Sequence, residues 1–166
     1  HYSLNPIYIL AIRNYLLQCN RQGKFNDDGT EFTEFLNLTN TLGQTIQYKV
    51  DKAMSYMMNT LSGKTGIMTI KDPAKDGTTS GMSSNYWDVH KTFGYMSAYE
   101  NAYFYASLLA YADIYDFKAD NYAKNGQSAE AEKARDVAEE YRGYAAVTRE
   151  KYNTLFWDEA KGRYIG

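Results

Sequence analysis

Apolar residues recur at helical spacing in several stretches of the chain, and polar, glycine-bearing segments separate them. Tyr8, Ile12, Tyr15, Leu16 and Cys19 share one face of a first helix. Asn5-Pro6 reads as its start, with the amide capping free backbone donors and the proline at the first helical position. That helix is expected to run to about Cys19. Asn20 to Thr30 reads as a connection, and Phe32, Phe35 and Leu36 as a short helical turn against the core. Thr41-Leu-Gly-Gln44 has capping-box spacing. The stripe Ile46, Val50, Ala53, Met54, Met57 and Leu61 follows it, which predicts a second helix ending near Ser62-Gly63.

Gly66 to Ile70 is short enough for one strand, and Pro73, Gly77 and Gly81 rule out a long helix between Lys71 and Asn85. Ser97-Ala-Tyr-Glu100 is a second capping box. It opens a helix whose Ala98, Ala102, Tyr105, Ala106 and Leu109 are expected to line one side. Asn125-Gly126 breaks the chain. A last helix over Ser128 to Phe156 places Ala131, Ala134, Val137, Tyr141, Tyr144, Thr148, Tyr152 and Leu155 on its buried face. Trp157 to Gly162 is then a polar turn before Arg163-Tyr164-Ile165. The pattern predicts an all-α array of helical hairpins with short β hairpins in the loops, whose connections carry aromatic and acidic residues.

Composition narrows the function classes. A length of 166 residues with 44% hydrophobic positions fits one domain or part of one. A formal net charge of −2 gives no basic field for nucleic acid, and the charged helix from Glu130 to Arg149 mixes both signs as a solvated face does. The single cysteine, Cys19, excludes an internal disulfide, and two histidines leave no structural zinc site. Ile7 to Ile12, the longest apolar run, falls far short of the roughly 20 residues that span a bilayer. A soluble protein of undetermined compartment is expected. Position 1 is His, and the last residues read as the start of a strand, so a fragment is expected, with apolar helix faces larger than a finished monomer shows. Seventeen tyrosines supply rings that stack and hydroxyls that hydrogen-bond, a combination suited to a sugar pocket and equally to the edges of a helical core.

Three short motifs fail on inspection. Gly63-Lys64-Thr65 ends like a phosphate loop, yet Met58 stands where the first glycine belongs and a helix precedes it. Asn26-Asp27-Asp28-Gly29 has Phe35 at the twelfth position of a calcium loop in place of glutamate, so it reads as a tight turn. Asn37-Leu38-Thr39 is a glycosylation sequon at chance frequency.

The densest chemistry lies in Ser80 to Ala102, SGMSSNYWDVHKTFGYMSAYENA. Together with the long charged helix and KYNTLFWDEAKGRYIG, it resembles the six-hairpin glycosidases, the (α/α)6 toroids that include the trehalases and processing α-glucosidases. In those enzymes a Ser-Gly-Trp-Asp loop leads to a helix with an Asn-Ala pair, and Leu-Trp-Asp-Glu-x-x-Gly-x-Tyr follows later. The matching positions are Trp87-Asp88, Asn101-Ala102 and Phe156-Trp157-Asp158-Glu159 with Gly162 and Tyr164. The resemblance covers the second half of the chain well and the first half only in helix pattern. Here the loop reads Asn85-Tyr86-Trp87-Asp88, and His90-Lys91 follows where serine, proline or arginine is common.

The resemblance implies a partial toroid in which Asp88 is the general acid, flanked by rings that could raise its pKa by desolvation. It implies a carbohydrate substrate and no cofactor, with the catalytic base on a later hairpin and the rest of the barrel as the chain's partner. Tyr86, Trp87 and Tyr95 are then candidates to stack on sugar rings, and His90, Lys91 and Asn101 to bond hydroxyls. Glu100 is the fourth residue of the Ser97 capping box and also a candidate for substrate binding. Two rival readings remain open: an epimerase or polysaccharide lyase on the same fold, using His90 or Tyr95 for proton transfer, and a glycan-binding helical protein without catalysis.

Overall fold

The computed structural model describes residues 4–25, 29–69 and 96–164. Their architecture is all-α, built from α1 (Leu4–Arg21), α2 (Thr30–Asn37), α3 (Ile46–Ser55), α4 (Ala98–Lys124) and α5 (Ser128–Phe156). Two short strands, β1 (Trp157–Asp158) and β2 (Arg163–Tyr164), pair antiparallel beyond α5, with Trp157 opposite Tyr164.

The α4–α5 hairpin is the frame. Ser97 starts α4 as expected, its Oγ accepting the Glu100 N–H at 3.3 Å. Gly126 stops it at φ 72, a left-handed conformation that costs glycine little. The Gly126 N–H donates to the Ala123 carbonyl and the Gln127 N–H to that of Tyr122, which closes the orphan carbonyls of the last turn. Along α5, Ala131, Ala134, Ala138, Ala145 and Thr148 are buried and Tyr141 and Tyr152 partly so. Their alternating three- and four-residue spacing is that of a helix packed along its length on an antiparallel neighbour. Leu155, expected inside, is exposed, and Phe156 is buried in its place.

The buried side of α4 differs from the expected one. Asn101, Phe104, Leu108 and Tyr111 point inward along with Glu100, Ser107, Ala110, Ala112 and Ile114, whereas Ala102 is exposed and Tyr105, Ala106 and Leu109 are half-buried. The reason is that α4 is hemmed in by several helices at once. Arg13 of α1 pairs with Asp113 at 2.8 Å, and Tyr111 meets Tyr141 of α5 at 4.5 Å and Asp51 of α3. A helix buried over most of its circumference has no single apolar stripe to read. Asn20 and Asp120 line one cavity, so α1 runs parallel to α4. Gln47 and Lys118 line another, while Met57 and Phe104 both close on Gly63, so α3 runs against α4.

Four further expectations are corrected. Helix α1 begins at Leu4, so Pro6 lies inside its first turn and Asn5 is not the cap. The cap of α3 is Thr45, whose side chain accepts the Tyr48 N–H, and Thr41 to Gln44 form a turn. Gly43 at φ 71 cannot sit in a right-handed helix, and Asn40 Oδ1 organises the turn by accepting the Leu42 and Gln44 N–H groups. The second long helix is also interrupted: α3 passes into a π-turn over Tyr56–Thr60, and a 3-10 turn over Gly63–Thr65 follows. No strand forms over residues 66–69.

A polar knot ties α3 to α4. Asp51 Oδ1 accepts from Gln47 Nε2 at 2.7 Å, from the Tyr111 hydroxyl at 2.8 Å and from the Tyr115 hydroxyl at 3.1 Å. Burial and the Asp51 charge hold both hydroxyls far above the ordinary tyrosine range, so they stay protonated donors. Bonds to a charged acceptor are the stronger kind, and a removed acceptor strands all three donors. Asp51→Ala is expected to lower the unfolding free energy by about 3 kcal/mol and Tyr111→Phe by about 1 kcal/mol in urea titration followed by circular dichroism. Equal losses from the two would contradict the role of Asp51 as the shared node.

Candidate functional site

Two of the site residues expected from the sequence belong to the N-terminal end of α4. Tyr86, Trp87, Asp88, His90, Lys91 and Tyr95 lie outside the described residues; Glu100 and Asn101 lie within them. The described residues that flank that stretch, Thr69 and Met96, both sit at this end. Met68 is bonded to Asn101, and Met96 packs on a small cluster of Ile67, Ala98 and Phe156.

Asn101 is fully buried, and its amide is spent on backbone. Its Oδ1 accepts the Met68 N–H at 2.6 Å, and its Nδ2 donates to the Met68 carbonyl at 3.0 Å and to the Ser97 carbonyl at 2.9 Å. The side chain thus does for Met68 what a neighbouring strand would do, which is why the extended segment expected around Gly66 to Ile70 needs no strand partner. Both donors are taken. Asn101 fixes the floor of this end and has no free N–H for a sugar hydroxyl.

Glu100 is the unusual group. The capping box is only half made: the Ser97 hydroxyl takes the Glu100 N–H, but neither carboxyl oxygen of Glu100 finds a hydrogen-bond partner among the described residues. The side chain is fully buried, with relative exposure 0%. Burial disfavours the charged form of a carboxyl, so desolvation moves its pKa from 4.5 to about 7. A carboxyl balanced near neutrality can both give and take a proton, and in its protonated form it donates a hydrogen bond. The capping-box spacing in the sequence reads as a complete reciprocal pair, and nothing local signals that one half is missing.

Aromatic residues border this end. Tyr99, half-exposed, meets Tyr103 edge-on at 4.9 Å. On the hairpin, Trp157 and Tyr164 meet at 5.1 Å, and Tyr164 reaches Tyr152 at 5.4 Å and donates its hydroxyl to Asn153 Oδ1 at 2.7 Å. The hairpin is therefore folded back on the last turns of α5.

Searches against protein families, curated proteins and solved structures find no match to this chain. Among the described residues no cluster of three or more His, Cys, Asp or Glu is placed to hold a metal ion, and no helix is long and apolar enough to cross a membrane.

Two variants test this geometry. Asn101→Ala leaves the Met68 backbone unpaired in the interior and is expected to cost about 3 kcal/mol in urea titration, whereas loss of an exposed asparagine costs little. For Glu100 the sign follows from proton binding. Between pH 4.5 and about 7 the folded chain holds a proton that the unfolded chain has released, so this group makes stability fall as pH rises through that window, and the loss is complete above it. Glu100→Gln is expected to remove that slope and to raise stability at pH 8 by up to about 3 kcal/mol, with little change at pH 4. Parallel stability profiles for the two proteins from pH 4 to 8 would refute the buried, unpartnered carboxyl.

Proposed function

We propose that this chain is the acid-bearing part of a glycoside hydrolase built on an α/α toroid, with Asp88 as the general acid. The observation that carries the reading is Glu100: a carboxyl group buried without hydrogen-bond partners among the described residues, with its pKa raised to about 7, in the first turn of α4, which follows residues 70–95 in the chain. Buried polar groups are normally satisfied, and exceptions concentrate where a protein does chemistry. Glycosidases work with paired carboxyl groups, one kept protonated by its surroundings.

In this reading Asp88 protonates the leaving oxygen of the glycosidic bond. Trp87, Tyr86 and Tyr95 stack on sugar C–H faces while His90 and Lys91 contact hydroxyls, and Glu100, protonated part of the time at neutral pH but fully buried, acts from behind the site and not on the sugar itself. The carboxylate that activates water comes from another hairpin of the same barrel. An inverting reaction needs it about 6.5 to 9.5 Å from the acid to leave room for the water.

The test is hydrolysis of α- and β-linked disaccharides and aryl glycosides by the intact protein and its variants. Asp88→Asn is expected to lower kcat by about 10²- to 10⁴-fold on natural disaccharides. The loss should be smaller on aryl glycosides, whose leaving groups need less protonation. Full activity in Asp88→Asn together with inactivity in His90→Ala or Tyr95→Phe would transfer the assignment to an epimerase or lyase. Tight saccharide binding without turnover of any substrate would leave a glycan-binding protein.

A further inference from the structure

Helices α1 and α3 run antiparallel, and a groove of about 1120 Å³ opens between them. Leu4, Ile7 and Tyr8 of α1 line one side, and Tyr48 and Lys52 of α3 line the other together with Tyr56 just beyond it. Leu4, Ile7, Tyr48 and Tyr56 are exposed, although all four carry large apolar surface. An apolar-walled groove of this size is the usual mark of an interaction site. Its charge is one-sided. The described residues that line it include two lysines and neither aspartate nor glutamate, in a chain whose formal net charge is −2. Lys49 holds its ammonium 5.8 Å from the centre of the Tyr8 ring, itself a wall of the groove, and Lys52 is exposed one turn further along α3. Neither lysine makes an ion pair among the described residues. Asp51, the nearest acid in sequence, is engaged with α4 through the Tyr111 and Tyr115 hydroxyls.

Shape and charge together choose the occupant. A second copy placed across a two-fold axis would bring the lysines of both copies to one interface, where they repel. A lipid surface, flat on this scale, would rest on the exposed rims and leave the groove beside the buried Ala53 unfilled. A helix fits. The stretches from Leu4 to Ala11 and from Tyr48 to Tyr56 each rise about 10–12 Å, or two turns. Over that length an incoming helix presents apolar side chains at i, i+3, i+4 and i+7 to the groove, and acidic residues beside them meet Lys49 and Lys52. We propose that the α1–α3 groove is a docking site for an amphipathic helix of a partner protein whose apolar stripe is flanked by aspartate or glutamate. The groove is separate from the α4 N-terminus and does not depend on the hydrolase reading.

The test uses three capped, fluorescently labelled peptides of about 15 residues, a length that supports a helix. One carries leucines at i, i+3, i+4 and i+7 flanked by glutamates, the second carries the same leucines flanked by lysines, and the third is the glutamate peptide with its leucines changed to serine. Binding to the whole chain is followed by fluorescence anisotropy and located by NMR at the backbone amides of Ile7 and Lys52. The glutamate peptide is expected to bind saturably, about tenfold more tightly than either control, to shift both amides, and to weaken as salt rises. The double variant Lys49→Glu with Lys52→Glu, first shown by thermal melting to unfold cooperatively, is expected to reverse the preference in favour of the lysine peptide. If it does not fold, Lys52→Glu alone, at an exposed position, is expected to lower the preference for the glutamate peptide. No saturable binding of the glutamate peptide, equal binding of the glutamate and lysine peptides, or shifts confined to other residues would overturn the proposal. So would binding to phosphatidylcholine vesicles containing about one-third phosphatidylserine in place of the peptide, or self-association through Ile7 and Lys52 that shuts the peptide out.

Discussion

The structure depends on one constraint: α4 is 27 residues long and buried over most of its circumference. Every other element is placed by what it must satisfy along that helix. At one end Asn101 grips the Met68 backbone. In the middle Asp51 gathers the hydroxyls of Tyr111 and Tyr115, and at the far end Asn121 donates to Thr33 of α2 at 3.0 Å. Between these polar ties lie Phe104, Leu108 and Ile114, each worth about 1.5–3 kcal/mol when removed from water. Apolar burial supplies the drive, and the polar ties fix which residues of the neighbouring helices meet it, because an unpaired group in the interior costs more than a paired one returns.

Much of the helical outline was legible in the sequence because it rests on local chemistry. Ser97 before α4, Gly126 after it and the three-four spacing of Ala131, Ala134 and Ala138 each state their role within a few residues. The inward side of α4 was not legible: a helix packed by α1, α3 and α5 together has no polar half to set against an apolar one. The Asp51 knot was hidden for another reason. Its two tyrosines lie 60 and 64 residues from Asp51 in the chain, and nothing near Asp51 distinguishes it from a surface acid. The segment after Gly66 read as a strand because it is short, and nothing in the sequence signalled that a side-chain amide would hold the Met68 backbone.

The candidate site divides along the same line. The motif that carries the resemblance to six-hairpin glycosidases, Trp87-Asp88 with its neighbouring aromatics, is visible only as sequence, whereas the property that makes Glu100 notable is visible only in three dimensions. A capping box and a buried, unsatisfied carboxyl share the same letters. What separates them is whether the glutamate reaches back to its cap, and here the side chain remains without partners while the Ser97 hydroxyl holds the backbone alone. The pKa of about 7 follows from that arrangement by desolvation, not from any neighbouring acid.

The account therefore stands on the charge state of one side chain. Carbon-13 labelling of the glutamates and titration of the Glu100 carboxyl resonance measures it directly. Burial of this carboxyl without hydrogen-bond partners predicts a midpoint near pH 7. A Glu100 midpoint near 4.5 would contradict it and leave this end of α4 as a helix start with no poised acid.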